Sequence, residues 1–147
     1  MNISAILSEE NIFPCVEVGT KRQLFEKAAK IVATAEKIDE SKVFEALWQR
    51  ENLGTTGYGK GVAVPHARMD GVDRMAVVFM RLKNGVDFDA HDGKDVDLVV
   101  VVVSPEQSGE DHLQALAAFS SVFRSEDARE KLRRASTAHE IYAVLNQ

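Results

Sequence analysis

Apolar residues recur along this chain with two periods, and the alternation between them marks out helices and strands. Ile12 to Val18 is an extended apolar run, and Pro14 inside it removes a ladder donor, which predicts an edge strand. Thr20-Lys21-Arg22-Gln23 has capping-box spacing, and Leu24, Ala28, Ile31 and Val32 share one helical face. They predict a helix from Thr20 to about Lys37. Ser41 is the expected N-cap of a second helix to about Glu51, with Val43, Phe44, Leu47 and Trp48 facing inward. Val62 to Val64, Met75 to Leu82 and Asp97 to Val103 read as strands. The last is β-branched and almost uniformly apolar, the pattern of a central strand covered on both faces. Ser108 is expected to cap a helix to about Phe123, followed by helices at Asp127 to Arg134 and Thr137 to Leu145. A Thr137/Glu140 capping box opens the last. Helices before, between and after strands predict an α/β sandwich.

Composition narrows this picture. The 147 residues contain no linker, low-complexity tract or repeat, so one domain over 1–147 is expected, long enough for a sizeable core. A net charge of -5 argues against non-specific nucleic-acid binding. Cys15 is the only cysteine, which excludes an intrachain disulfide; it is expected as a packed strand residue. With no signal peptide recognisable, the expected compartment is a reducing cytoplasm. The longest apolar run, Leu98 to Val103, is too short to span a bilayer, so no direct membrane insertion is expected.

The chemistry concentrates in Gly54-Thr55-Thr56-Gly57-Tyr58-Gly59-Lys60-Gly61-Val62-Ala63-Val64-Pro65-His66-Ala67. Glycines allow a tight turn that brings backbone N–H groups close to an anion. Pro65 fixes the backbone just before His66, so the ring is oriented rather than mobile. Neutral imidazole is a nucleophile near pH 7. The simplest chemistry joining these parts is phosphoryl transfer to His66. His112 falls in the first turn of the helix after Ser108, where free N–H groups and the helix dipole favour anions. Arg50, near the end of the second helix, offers a permanently charged fork suited to phosphate. From the residues alone, His112 could equally be a surface histidine and Arg50 a solvated cation in a helix's last turn.

The run Gly61-Val62-Ala63-Val64-Pro65-His66-Ala67 resembles the signature of the enzyme IIA proteins of the phosphoenolpyruvate-dependent phosphotransferase system. The preceding Arg50-Glu51-Asn52-Leu53-Gly54-Thr55-Thr56-Gly57 is most similar to the nitrogen-regulatory branch of the fructose/mannitol-type family. The likeness continues through Gly85 to Ala90, Asp97-Leu98-Val99, Pro105, His112-Leu113 and Lys131-Leu132-Arg133, essentially the whole chain. It implies a mixed β-sheet with helices packed on both faces and His66 as the phosphohistidine. It also implies that His112 hydrogen-bonds near that group without carrying it, and that Arg50 lies beside it. The chain departs from the family at Tyr58, where Ile or Phe is commoner, and at Ala67-Arg68, where Gly-Lys is frequent.

Other patterns lead elsewhere. Gly54 to Lys60 matches most of a P-loop, but Gly61 stands where Ser or Thr must hold magnesium, and a helix precedes it where a strand is required. Nucleotide binding is rejected, as is a Rossmann fingerprint. No cofactor is expected, and four scattered histidines with one cysteine show no metal-ligand spacing. His91 and His139 are expected to be exposed, Lys60 solvated or on a partner surface, Asp70 and Asp73 in a solvated turn, and Phe44 and Trp48 in the core.

Two function classes follow. One is a phosphoryl relay, in which a histidine phosphocarrier protein docks and His66 takes its phosphoryl group. The other is a regulatory binding protein, in which the added charge alters affinity for a partner. The resemblance implies both together, with regulatory targets such as a sensor kinase or potassium transporter. A sugar-specific (fructose or mannitol) IIA component passing phosphate to a IIB domain is the alternative.

Overall fold

The computed structural model describes residues 1–147 as a six-stranded mixed sheet between two helical layers. The elements are β1 (Ile12–Val16), α1 (Lys21–Glu36), α2 (Glu40–Leu53), β2 (Gly57–Gly59), β3 (Val62–Ala63), β4 (His66–Met69), β5 (Ala76–Val86), β6 (Val96–Pro105), α3 (Glu110–Phe123), α4 (Glu126–Arg134) and α5 (Ala138–Leu145). The strand order is β1-β5-β6-β3-β2, and β4 continues the line of β3 along β6. β1 pairs with β5 alone, so Pro14 does sit on an edge strand.

β6 is the central strand that its valines predict. Leu98 to Val103 are all 0% exposed, because alternate side chains enter two different cores. Val99, Val101 and Val103 pack with Leu24, Phe25, Val32, Val43 and Leu47 of α1 and α2. Leu98, Val100 and Val102 pack with Ala115, Phe119, Phe123, Leu132 and Ile141 of α3, α4 and α5. Phe44 and Trp48 border the first core, and Trp48 meets Phe25 edge-on at 5.0 Å.

The capping predictions divide. Thr20 and Thr137 cap α1 and α5 through Gln23 N–H and Glu140 N–H. At α2, Asp39 replaces Ser41 as the cap: its Oδ1 accepts from both the N–H and the hydroxyl of Ser41, which consumes the serine locally. At α3, Gly109 with φ 53 takes the cap position, and Ser108 Oγ bonds to nothing. Cys15 is exposed rather than packed, because the strand that carries it has solvent at its edge.

The glycine-rich run forms an antiparallel hairpin, not an open loop. Gly59 pairs with Val62, and the two turn residues, Lys60 (φ 62) and Gly61 (φ 79), are both left-handed, as in a type I′ turn. Its N–H groups are largely taken: Lys60 N–H donates to Asp92 Oδ2 and Gly57 N–H to Thr55 Oγ1. The glycines therefore shape a hairpin rather than an anion cradle.

Candidate functional site

The site lies where β3 gives way to β4. Pro65 interrupts the strand without a donor, but its carbonyl still accepts Val102 N–H at 3.0 Å, so the chain stays aligned on β6. His66 is then the first residue of β4, opposite Val102, and Arg68 stands opposite Ser104. Alternation puts Ala67 and Met69 into the α1/α2 core and turns His66 and Arg68 to the α3 face. The opening turn of α3 carries His112 over that face. The two imidazole centroids are 5.5 Å apart, with the rings inclined at 54°.

His66 is half-buried, and its Nδ1 lies 2.8 Å from the Val64 carbonyl. A carbonyl can only accept, so Nδ1 carries the proton and Nε2 keeps its lone pair. Burial lowers the pKa of His66. The Val64 bond opposes that shift, as does the charge of Glu51, while the charges of Arg50 and Arg68 reinforce it. His112 is 2% exposed and bonds through Nδ1 to Ser104 Oγ at 2.7 Å. Burial first, then Arg68 and His66, push its pKa down to about 4. Near neutral pH both rings are uncharged.

Two arginines supply positive charge beside them. Arg50, in the last turn of α2, donates from Nη1 to the Gly54 carbonyl at 2.8 Å; Arg68 donates from Nη2 to the Gly109 carbonyl at 3.1 Å. Neither is part of any of the six ion pairs in the structure. Glu51 is 5% exposed and turns away from them: it pairs with Lys21 Nζ at 2.9 Å and holds both the N–H and the hydroxyl of Thr56. Thr56 in turn accepts Val64 N–H at 3.0 Å, which ties the loop after α2 to the residue whose carbonyl orients His66.

The three residues singled out by sequence thus converge unequally. His66 and His112 face each other. Arg50 acts on His66 through its charge while its Nη1 is engaged by a backbone carbonyl. Arg68, Ser104 and Glu51 were missed. The two-residue period of a strand carries the signal for Arg68, since it places residue 68 on the face of residue 66; nothing local marks Ser104. His91 and His139 are exposed, His139 against Glu9, and no group of three His, Cys, Asp or Glu gathers where a metal would sit. No helix is long and apolar enough to cross a membrane.

Residues 5–147 match the family described as phosphoenolpyruvate-dependent sugar phosphotransferase system, EIIA 2. The chain is 40% identical over 145 residues to a nitrogen regulatory protein of Bradyrhizobium diazoefficiens, covering 99% of this chain and 95% of that one. It is 39% identical over 128 residues to a fructose-specific EIIA component of Haloferax volcanii, covering 86% and 83%. The crystal structure of nitrogen regulatory protein IIA-Ntr from Neisseria meningitidis superposes with a TM-score of 0.93 at 39% identity, covering 97% of this chain and 98% of that one. With this fold and this match over nearly its whole length, the chain belongs to the EIIA type 2 family of the phosphoenolpyruvate-dependent phosphotransferase system.

Proposed function

We propose that His66 Nε2 accepts a phosphoryl group from a histidine phosphocarrier protein, and that the charge so gained regulates binding to a cytoplasmic partner. The observation that carries this reading is the hydrogen bond from His66 Nδ1 to the Val64 carbonyl, which leaves Nε2 bare beside two arginines without carboxylate partners. In the step, the Nε2 lone pair forms the new N–P bond as the donor's N–P bond breaks. The donor nitrogen keeps the departing electron pair, and His66 keeps its Nδ1 proton against Val64. Phosphoryl transfer asks a protein chiefly for an in-line nucleophile and fixed positive charge around the equatorial oxygens. Arg50 and Arg68 supply the charge, and His112 supplies a hydrogen-bond donor. Leu53 on the last turn of α2 (86% exposed) and Leu113 beside His112 (59% exposed) give the rim an apolar surface for the docking donor.

The regulatory half rests on the relatives named nitrogen regulatory proteins. A phosphoryl group brings about -1.5 to -2 charges to the rim, enough to make or break an interface. A sensor kinase or a potassium transporter is the kind of target this reading suggests. The fructose-specific relative favours a second reading, in which His66 passes its group to a IIB domain during sugar uptake.

Incubation with phosphoenolpyruvate and the general carrier proteins, followed by intact-mass measurement, tests the acceptor. One acid-labile phosphoryl group is expected on the wild-type chain and none on His66→Ala; full labelling of the variant overturns the assignment. Pull-downs in both phosphorylation states then separate the readings. A partner that binds only one state supports regulation. Identical partners in both states, with phosphoryl-dependent sugar uptake in reconstituted vesicles, support the sugar-specific role.

A further inference from the structure

Ser104 is fully buried in the valine-rich β6, opposite Arg68. A hydroxyl buried there costs free energy unless it is hydrogen-bonded. Its only partner is His112 Nδ1, at 2.7 Å. Two proton arrangements fit that contact. If Nδ1–H donates, the serine proton is left without an acceptor. If the hydroxyl donates, only oxygen lone pairs go unmet. Orphaned buried donors are rarer and costlier than under-used acceptors. The hydroxyl is therefore the donor, and neutral His112 carries its proton on Nε2. His66 is held the other way round, with its proton on Nδ1 toward Val64 and Nε2 bare.

We propose that Ser104 is a positioning residue that fixes His112 as the Nε2–H tautomer, so that the paired rings offer the phosphoryl group one bare Nε2 and one protonated Nε2. The inference rests on reading His66 as the acceptor. The division of labour follows from the protons. The bare nitrogen of His66 attacks phosphorus, while the N–H of His112 donates to an equatorial oxygen and keeps its proton throughout. A protonated Nε2 has no lone pair to offer, so the same serine bond also denies His112 the role of acceptor. With the tautomer reversed, a lone pair would face the anionic oxygens and repel them. The charged and titratable groups facing His112 are Arg68 and His66; both disfavour the imidazolium, so the donor is neutral.

Long-range ¹⁵N imidazole spectra of the unphosphorylated chain at neutral pH read the tautomers directly. The expected pattern is a bare Nδ1 and protonated Nε2 for His112, and the reverse for His66. In Ser104→Ala the His112 signals should move toward tautomer averaging. Transfer to His66 should slow about tenfold, the order of effect seen when an outer partner that fixes a histidine ring is lost. Ser104→Thr should restore both the pattern and the rate. A protonated Nδ1 on wild-type His112, or a Ser104→Ala chain with unchanged tautomer and rate, overturns the proposal. If neither chain accepts phosphate, the His66 reading alone fails, and the ring signals still decide the role of Ser104.

Discussion

The line formed by β3 and β4 meets arginines at both of its ends, Arg133 of α4 at one and Arg68 with Arg50 of α2 at the other, and they are treated in opposite ways. At the hairpin end, Arg133 is paired with a carboxylate. Its Nε and Nη2 bind Asp97 at 3.0 and 2.9 Å, and Nη2 also donates to the Lys60 carbonyl. Gly61 is favoured there, because its φ of 79 is left-handed and a Cβ would push Arg133 Nη2 off its partners and crowd Asp97. At the histidine end, Arg50 and Arg68 meet only backbone carbonyls, and both histidines are held uncharged. Charge that is matched within the fold holds a hairpin; charge left unmatched beside a bare nitrogen is what the proposed phosphoryl acceptor requires.

The sharpest way to break this contrast is at His112. Removing one oriented donor of this kind costs roughly 2.7–4 kcal/mol in a transition state, so His112→Ala should slow transfer about 100- to 1,000-fold while the chain stays folded by circular dichroism. Wild-type kinetics in that variant would make His112 a packing residue. Acid provides the next largest effect. The folded pKa of His112 lies below its unfolded value, so stability is full above about pH 6.5 and falls as pH drops toward about 4. In that window the unfolded chain binds a proton that the folded chain refuses, which is worth roughly 3 kcal/mol. Urea unfolding at pH 7 and pH 4 should show this loss, and His112→Gln should remove it.

The hairpin end should respond in stability and not in chemistry. Gly61→Ala forces a left-handed alanine against Arg133, at a cost of roughly 2 kcal/mol in urea unfolding. Its folded fraction should transfer phosphate at the wild-type rate, and a slowed transfer would merge the two ends. The smallest expected effect is at Arg50. Arg50→Lys keeps the charge and loses the planar fork, so stopped-flow transfer should slow severalfold with melting unchanged. An unchanged rate and phosphohistidine lifetime would mean that only charge matters at that position.

The same contrast accounts for what could be read before the fold was known. Periodicity located the five α-helices and the long strands, because the apolar faces of α1 or β6 repeat at the spacing their geometry imposes, but not the single 3-10 turns at Ile3–Ala5 and Glu9–Asn11. Boundaries drifted where neighbouring polar groups compete, as Asp39 does with Ser41. β2 and the four-residue β4 were not foreseen, since their pairing is set by long-range contact with β3 and β6 and not by local pattern. His66 was legible because Pro65 and the glycines mark it. Of its partners, His112 was legible only through resemblance, and Arg68 and Ser104 were not read at all, since the meeting of residues 66, 68, 104 and 112 depends on strand register and on where α3 begins. The glycine run was read as an anion turn and is a hairpin instead, a difference that only the pairing of Gly59 with Val62 reveals.

The measurement closest to the central claim is the position of the phosphorus atom. A ¹⁵N-labelled chain, phosphorylated by the general carrier proteins, reports through ³¹P–¹⁵N coupling which nitrogen bears the group. The account predicts a single phosphoryl group on Nε2 of His66, with Nδ1 still protonated toward Val64. Coupling to Nδ1 of His66, or to a nitrogen of His112, His91 or His139, would contradict it.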